Sequence, residues 1–334
     1  MRPFKFSTNV DSNEVSKMLI ANPGARLLGG GTNLLDLMKE DVERPTELVE
    51  VGSIGIMKSL SPSTATGSMV IPAIEKNANT ANDPAIRENF PLLSQAILAG
   101  ASAQIRNMAT NGGNLNQRTR CTYFYDVAMP CNKRSPGSGC GAMKGLNRMH
   151  AIFGWSDRCV AVHPSDMCVA LAALDAVVKV QGDNGKQRTI PFASYHRLPG
   201  DHPEKDNMLL PGELITAIEI PANNFAENSY YLKVRDRSSY AFALVSVAAA
   251  MELKNNKIVK ASIALGGVAH KPWRASIAEK YLLNKEANEA NFKTAAANEM
   301  KLARPLEHNV YKVELGRKAI VRALMQAANG GKTI

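Results

Sequence analysis

Short apolar runs alternate with helix-like stretches through the first third of the chain. The run Ala25–Leu28 predicts a strand that enters Gly29-Gly30-Gly31, after which Thr32 or Asn33 can cap a helix that extends to Met38. Further elements are predicted at these positions: strands at Leu48–Val51 and Met69–Ile71, and helices at Pro91–Ala99 and Ala103–Met108. Because the strands are too scattered for a regular βαβ repeat, the pattern predicts an α+β fold.

The hydrophobic period disappears between Thr110 and Trp155. Glycine, proline, asparagine, arginine and three cysteines are concentrated in this segment. A structureless loop of such length is uncommon within a compact domain unless it is functional or held in place by something. We therefore expect this segment to have a function of its own.

Regular structure resumes at Ser165–Leu174, an apolar helix that Ser165 or Asp166 can cap. The pattern then predicts the following elements: strands at Ala176–Val180 and Leu214–Ile220, three longer antiparallel strands at Tyr230–Val234, Ala243–Leu253 and Ile258–Leu265, and helices at Arg274–Leu283, Asn288–Leu302 and Tyr311–Ala327. Pro221, Asn223 and Asn224 indicate a linker, so we place a domain boundary near residues 221–229.

Composition excludes several classes of protein. The 334 residues are 45% hydrophobic and 21% charged, which is typical of a globular protein and not of a disordered chain, collagen or a coiled coil. No apolar run approaches the length of about 18 residues that a membrane helix needs. The start of the chain, MRPFKFSTNVDSNE, does not have the pattern of a secretory signal. We expect a cytoplasmic protein, or a periplasmic one if a signal-bearing partner exports it.

The chain is basic, with 40 lysines and arginines against 30 acidic residues and a net charge of +10. This charge suggests an anionic partner, such as nucleic acid, a phosphate-bearing cofactor or an acidic protein surface. Aromatic residues make up only 6% of the chain, which is poor material for stacking on single-stranded nucleic acid. The pattern therefore disfavours nucleic acid.

Four of the five cysteines, Cys121, Cys131, Cys140 and Cys159, lie in the irregular segment or at its end. Disulfides suit small secreted scaffolds, and structural zinc usually uses close CxxC pairs, which are absent here. Single cysteines on a long loop can bind an iron–sulfur cluster, and the seven basic residues between Arg118 and Arg158 would offset its negative charge. Cys168 lies in the apolar helix and is interpreted as a small buried hydrophobe.

Two glycine-rich turns are candidates for binding an anion. Residues 28–34 follow a predicted strand and open a helix, so their backbone N–H groups and the helix dipole could approach a phosphate. The turn lacks the GxGxxG dinucleotide pattern because Leu34 occupies the position of the last glycine. Residues 110–114 could hold the other side of a diphosphate. A plain tight turn is the alternative interpretation for each.

Five motifs occur along the chain in a recognisable order: LLGGGTNLLDLM, ATNGGNLNQRTRC, HPSDM, LLPGELITAIEIP and YLKVRDRSSYAFALVSVAAA. This ordered set closely resembles the FAD-binding subunit of the xanthine dehydrogenase and aldehyde oxidoreductase family of molybdenum hydroxylases. The cysteine segment, with CTYFYDVAMPC, NKRSPGSGC and RC, resembles the bacterial periplasmic aldehyde oxidoreductase branch, whose flavin subunit carries a [4Fe–4S] cluster.

The resemblance implies a two-lobed FAD-binding domain of the vanillyl-alcohol-oxidase type at residues 1–221, with an iron–sulfur loop at about residues 115–160. It implies a smaller α/β domain at residues 222–334, a three-stranded sheet with helices, like the C-terminal domain of the carbon monoxide dehydrogenase flavoprotein. The implied cofactors are one FAD and one [4Fe–4S] cluster bound by Cys121, Cys131, Cys140 and Cys159.

The residues that the resemblance assigns to FAD are Leu28, Gly29, Gly30, Gly31, Thr32, Asn33, Leu34, Thr110, Gly112, Gly113, Asn114, Asp166, Ile215 and Lys233. Ile215 or Leu214 would supply an apolar contact to the flavin ring, and Lys233 would lie near it. An ordinary helix N-cap is the alternative interpretation of Asp166, and a solvated lysine at a strand end is that of Lys233.

The sequence contains no recognisable catalytic base, nucleophile or molybdenum ligand. The resemblance implies that substrate is oxidised on a large molybdenum-cofactor subunit and that a small subunit with two [2Fe–2S] clusters delivers electrons to this chain. Two other hypotheses are a self-contained flavin reductase, which would need its own base and no loop cysteines, and a zinc-stabilised basic scaffold or RNA-binding protein.

Overall fold

A computed structural model of the chain describes residues 1–9, 11–52, 54, 60–62 and 67–331. None of the helices in these ranges combines the length and the apolar character needed to cross a bilayer.

Three short parallel strands, joined by helices, form the first lobe. The elements are β1 (Lys5–Thr8), α1 (Ser12–Ala21), β2 (Ala25–Leu28), α2 (Leu34–Lys39) and β3 (Glu47–Glu50). β3 pairs in parallel with β1 on one side and β2 on the other. The expectation that no regular βαβ arrangement exists is therefore wrong for this lobe. β1 was missed because its residues are mostly exposed and form no apolar run.

The second lobe contains a five-stranded antiparallel sheet and most of the short helices. Its elements are β4 (Ser61–Pro62), β5 (Met69–Pro72), α3 (Asn77–Asn82), α4 (Pro84–Asn89), α5 (Pro91–Ala99), α6 (Ala103–Met108), α7 (Asn111–Leu115), α8 (Thr122–Tyr125), α9 (Gly141–Lys144), α10 (Asp166–Ala173), β6 (Val177–Gln181), a 3-10 turn (Asp183–Gly185), β7 (Gln187–Pro191), α11 (Phe192–Tyr195) and β8 (Leu214–Ile220). The strand order is β4-β5-β8-β6-β7. The predicted strands at Met69–Ile71, Ala176–Val180 and Leu214–Ile220 all belong to this sheet.

The C-terminal region is an antiparallel sheet covered by three helices. Its elements are β9 (Ser229–Val234), β10 (Val245–Lys254), β11 (Lys257–Gly266), β12 (Trp273–Arg274), α12 (Ser276–Leu282), α13 (Glu289–Met300) and α14 (Tyr311–Ala328). The three predicted strands are present, and β12 adds a fourth strand of two residues. Asn255 and Asn256 both have positive φ, as the tight hairpin between β10 and β11 requires.

Both faces of β10 are buried. Val245, Val247 and Ala249 belong to a hydrophobic core shared with α12, α13 and α14. Ala248 and Ala250 point to the other face, into a core that also contains residues of α5 and α10. The C-terminal sheet therefore packs directly against the helices of the second lobe, across the predicted boundary, which falls in the connection between β8 and β9.

The irregular segment contains only the short helices α7, α8 and α9, and the C-terminal region holds its end in place. Lys312, fully buried on α14, donates hydrogen bonds to the carbonyl oxygens of His150 at 3.1 Å and Gly267 at 2.7 Å. Burial lowers the pKa of Lys312 to about 7. The side-chain amide of Asn309 donates to the carbonyls of His150 and Ala151, both at 3.2 Å.

Candidate functional site

A cavity of about 1370 Å³ lies where the two glycine turns, the start of α10 and β9 meet. This volume exceeds the range of about 300–1000 Å³ that is common for pockets of small ligands. The predicted residues that line it are Gly29, Gly30, Gly31, Thr32, Asn33, Leu34, Thr110, Gly113, Asn114, Asp166 and Lys233. The structure therefore brings most of the predicted cofactor residues to one site.

The two glycine turns pack directly against each other. A β-carbon added at Gly30 would lie 1.9 Å from the carbonyl oxygen of Met108, just before the second turn. A β-carbon at Gly29 would lie 2.6 Å from the hydroxyl oxygen of Thr110. That hydroxyl accepts a hydrogen bond from the N–H of Gly113 at 3.1 Å. Glycine is thus required here by contact between the turns.

The first turn presents unpaired backbone donors. Within the part of the chain that the structure describes, the N–H groups of residues 29–34 donate to no protein acceptor. They precede and open α2, where the positive end of the helix dipole adds to them. A row of free N–H groups at a glycine turn is a site for an anion such as a diphosphate.

Three predicted cofactor residues do not line the cavity. Leu28 ends β2, and Gly112 packs against Ala73, to whose carbonyl oxygen its N–H donates at 2.8 Å. Ile215 lies on β8 with 9% of its surface exposed, within a hydrophobic core. Its alternative, Leu214, is buried in a separate cluster. These residues support the walls of the site and do not contact the cavity.

Leu209 and Leu210 supply the apolar lining expected from Ile215 or Leu214. Both belong to the segment that precedes β8. The alternation of side chains along β8 shows which residues share a face, but it does not show which face adjoins the cavity. Neither leucine lies within the strand, so this pattern does not identify them.

Asp166 and Lys233 form a buried ion pair at the cavity wall. The Nζ of Lys233 donates to Asp166 Oδ2 at 2.7 Å and to the carbonyl oxygen of Ala99 at 3.1 Å. Their side chains are 8% and 4% exposed, respectively. The hydroxyl of Tyr231 donates to Asp166 Oδ1 at 2.7 Å. Lys233 is therefore not a solvated lysine at a strand end.

Ser165 caps α10, so the alternative of Asp166 as the N-cap is wrong. The hydroxyl oxygen of Ser165 accepts from the N–H of Cys168 at 3.0 Å and donates to Asn114 Oδ1 at 2.5 Å. The second glycine turn is thereby linked to the start of α10. Asp166 lies in the first helical turn, where its carboxylate is free to pair with Lys233.

The four loop cysteines converge on one small cavity. Cys121, Cys131, Cys140 and Cys159 all line it, together with the basic residue Arg158. Among the residues described, these four cysteines do not form a group of ligand atoms close enough to hold a single metal ion. Burial raises the pKa of Cys121 to about 12 and that of Cys159 to about 11. These thiols stay protonated unless a metal replaces the proton.

The cysteine segment is anchored to the first glycine turn. Asn33 Oδ1 accepts from the backbone N–H of Arg118 at 2.7 Å, and Asn33 Nδ2 donates to the hydroxyl of Tyr125 at 3.3 Å. That hydroxyl donates to Asp36 Oδ2 at 3.0 Å. The large cavity and the four-cysteine site are therefore neighbours.

Two residues of these sites are not indicated by the motifs of the sequence. Tyr231 lies two positions before Lys233, on the same face of β9, and this period of two was the signal that could have found it. His150 Nε2 lies 3.1 Å from the sulfur of Cys121. No local pattern indicates that contact, because 28 residues separate the two along the chain.

Successive parts of the chain match two protein-domain families. Residues 2–223 match the FAD binding domain in molybdopterin dehydrogenase, and residues 230–327 match the CO dehydrogenase flavoprotein C-terminal domain.

Relatives and a solved structure agree with these matches. The chain is 46% identical to the aldehyde oxidoreductase FAD-binding subunit PaoB of Escherichia coli strain K12 over 91% of its length and 92% of that protein. It is 26% identical to the glyceraldehyde dehydrogenase medium chain of Sulfolobus acidocaldarius, over 85% and 82% of the two chains. The structure resembles a chain of carbon monoxide dehydrogenase from Hydrogenophaga pseudoflava with a TM-score of 0.76 and 23% identity, over 98% of each.

We predict that Asp166→Ala destabilises the protein by about 3–5 kcal/mol, because it leaves the ammonium of Lys233 buried without its carboxylate. Lys179→Ala is the matched control, since it breaks a half-exposed pair with Glu219 and should cost less than about 1 kcal/mol. Urea unfolding followed by circular dichroism measures both. Equal effects of the two changes would contradict the prediction.

Proposed function

Because this chain belongs to the FAD-binding subunits of the molybdenum hydroxylase family, we propose that it transfers electrons within such a complex through FAD and one [4Fe–4S] cluster. The observation that carries the proposal is the convergence of four cysteines beside the cavity of the glycine turns. Both sites lie on one chain and share the contacts of Asn33.

Residues of the large cavity fit the parts of FAD. The free N–H groups of residues 29–34 and the turn at Thr110 would bind its diphosphate. We expect Asp166 and Lys233 to contact the cofactor, since their paired charges line the same cavity. When bound, FAD would exchange electrons with redox partners, while the protein holds and orients it.

The spacing of the cysteines supports a cluster over a single zinc ion. Zinc–sulfur bonds of about 2.3 Å would place the sulfurs of a tetrahedral site only about 3.8 Å apart. The four cysteines are not among the described side chains that lie close enough to hold a single metal ion. A four-iron cluster spreads its thiolates over a larger cube, and Arg158 beside the cavity would offset its charge.

We propose the partners and the substrate class by similarity. Substrate would be oxidised on a large molybdenum-cofactor subunit, and a small subunit with two [2Fe–2S] clusters would pass the electrons to this chain, which delivers them to an external acceptor. The aldehyde oxidoreductase subunit to which the chain is 46% identical favours an aldehyde as the substrate of the complex.

We predict that Gly30→Ala loses most of its bound FAD, because the added carbon collides with the Met108 carbonyl and separates the two turns. Gly182→Ala is the control, since a β-carbon there meets only ordinary contacts and the backbone needs no positive φ. Flavin released by acid from the purified variants measures binding. Retention of full FAD by Gly30→Ala, or flavin that stays covalently attached, would contradict this account.

We predict that replacing any one of Cys121, Cys131, Cys140 or Cys159 by serine removes most of the iron from anaerobically purified protein. Cys168→Ser is the control and should retain full iron, because Cys168 lies outside the four-cysteine cavity. Iron and sulfide analysis, with the broad absorbance of the cluster, measures the outcome. Cluster loss in the control with retention in one of the four would show that the ligand assignment is wrong.

The isolated chain should not oxidise aldehydes, whereas its reduced FAD should still pass electrons to a dye. Co-expression with the large and small subunits should give a stable complex that oxidises aldehydes. Substrate-dependent dye reduction measures both activities. Rapid aldehyde oxidation by the isolated chain, in the absence of molybdenum, would be incompatible with a role as a subunit.

A further inference from the structure

A second group of metal-binding side chains lies apart from the four-cysteine cavity. It consists of His163, Cys168 of α10 and His196, which directly follows α11. One sulfur and two ring nitrogens lie within 4.8 Å of one another, and the two imidazole centroids are 4.3 Å apart. Cys168 is fully buried and His196 is 4% exposed, so this group faces the interior.

Hydrogen bonding fixes the proton of His196 on one nitrogen. Its Nε2 lies 2.8 Å from the carbonyl oxygen of Leu115, which can only accept, so Nε2 carries the proton. Nδ1 therefore presents a lone pair, and this buried atom has no hydrogen-bond partner among the described residues. A buried polar atom without a partner is costly, and such atoms are rare in native proteins.

The arrangement of His196 is typical of a histidine that binds a metal. Metal-bound histidines usually donate their second ring N–H to a backbone carbonyl or a carboxylate, which orients the free nitrogen toward the ion. His163 Nε2 is likewise buried and without a partner in the described part of the chain. Burial lowers the pKa of His196 to about 4 and that of His163 well below its usual range, so both rings are neutral, as ligands must be.

We propose that His163, Cys168 and His196 are three protein ligands of one Zn²⁺ ion. Two nitrogens and one sulfur are donors that zinc prefers. On binding, the thiol proton of Cys168 is released to solvent as the zinc–sulfur bond forms, and neither histidine loses a proton. Asp206 does not serve as the fourth ligand, because its carboxylate is occupied by Lys133 and Arg118.

This ion would stabilise the wall of the cofactor cavity. His163 lies four residues beyond Cys159, and Cys168 lies two residues beyond Asp166 on α10. Zinc would thus link the end of the cysteine segment to the helix that carries the buried ion pair, and to the segment after α11. The proposal does not rest on the proposed redox function, since the three ligands are not shared with the four-cysteine cavity.

The test uses the full chain, treated with a chelator, loaded with Zn²⁺ and passed through gel filtration. Mass spectrometry should find one zinc per chain, with iron and FAD measured on the same samples. X-ray absorption spectroscopy at the zinc edge should show one sulfur at about 2.3 Å from the zinc and nitrogen or oxygen neighbours at about 2.0–2.1 Å from it. No retained zinc, or zinc surrounded by four sulfurs, overturns the proposal.

Variants identify the ligands. Cys168→Ser and His196→Gln should each weaken Zn²⁺ affinity by at least about tenfold. His270→Gln is the matched control, because His270 Nε2 is also buried and unpartnered among the described residues but lies outside the group. Undiminished zinc in both ligand variants overturns the proposal. If either variant fails to fold, the X-ray absorption spectrum of the chain without substitutions decides whether one sulfur and nitrogen ligands surround the zinc.

Discussion

The buried ion pair between Asp166 and Lys233 is the interaction on which the cavity depends. A carboxylate and an ammonium are removed from water together. Asp166 accepts a further hydrogen bond from Tyr231, and Lys233 donates one to the carbonyl of Ala99. Because an unpaired charge at such a position is very unfavourable, α10 and β9 are held in one relative position. The C-terminal sheet thereby becomes a wall of a site whose glycine turns belong to the first two lobes.

The contact between the two glycine turns is the second constraint. The glycines of the first turn bring its backbone against the Met108 carbonyl and the Thr110 hydroxyl, a distance that no side chain would permit. The first turn keeps its N–H groups free, while Asn33, through its side chain, holds the cysteine segment. One short turn therefore connects the anion-binding backbone of the cavity with the neighbouring four-cysteine site.

Polar contacts and a small hydrophobic cluster of Leu37, Phe124 and Cys131 together order the long irregular segment. Its amide and guanidinium groups bind carbonyl and carboxylate oxygens, as when Arg134 donates to the carbonyls of Tyr123 and Phe124. Lys312 and Asn309 hold its far end from the C-terminal region. Such a network involves residues that are distant in sequence, which explains why no hydrophobic period is visible between residues 110 and 155.

The sequence alone determined the family, the α+β class, the two glycine turns and the cysteine set, because each depends on residue types at short spacing. It also placed the strands of the C-terminal sheet, whose apolar runs are long. Only the tertiary structure decided that Asp166 pairs with Lys233, that Ile215 lies in the core while Leu209 lines the cavity, and that the first sheet is parallel. These features depend on which segments meet in space and which face of a strand is covered, and neither is encoded in a local pattern.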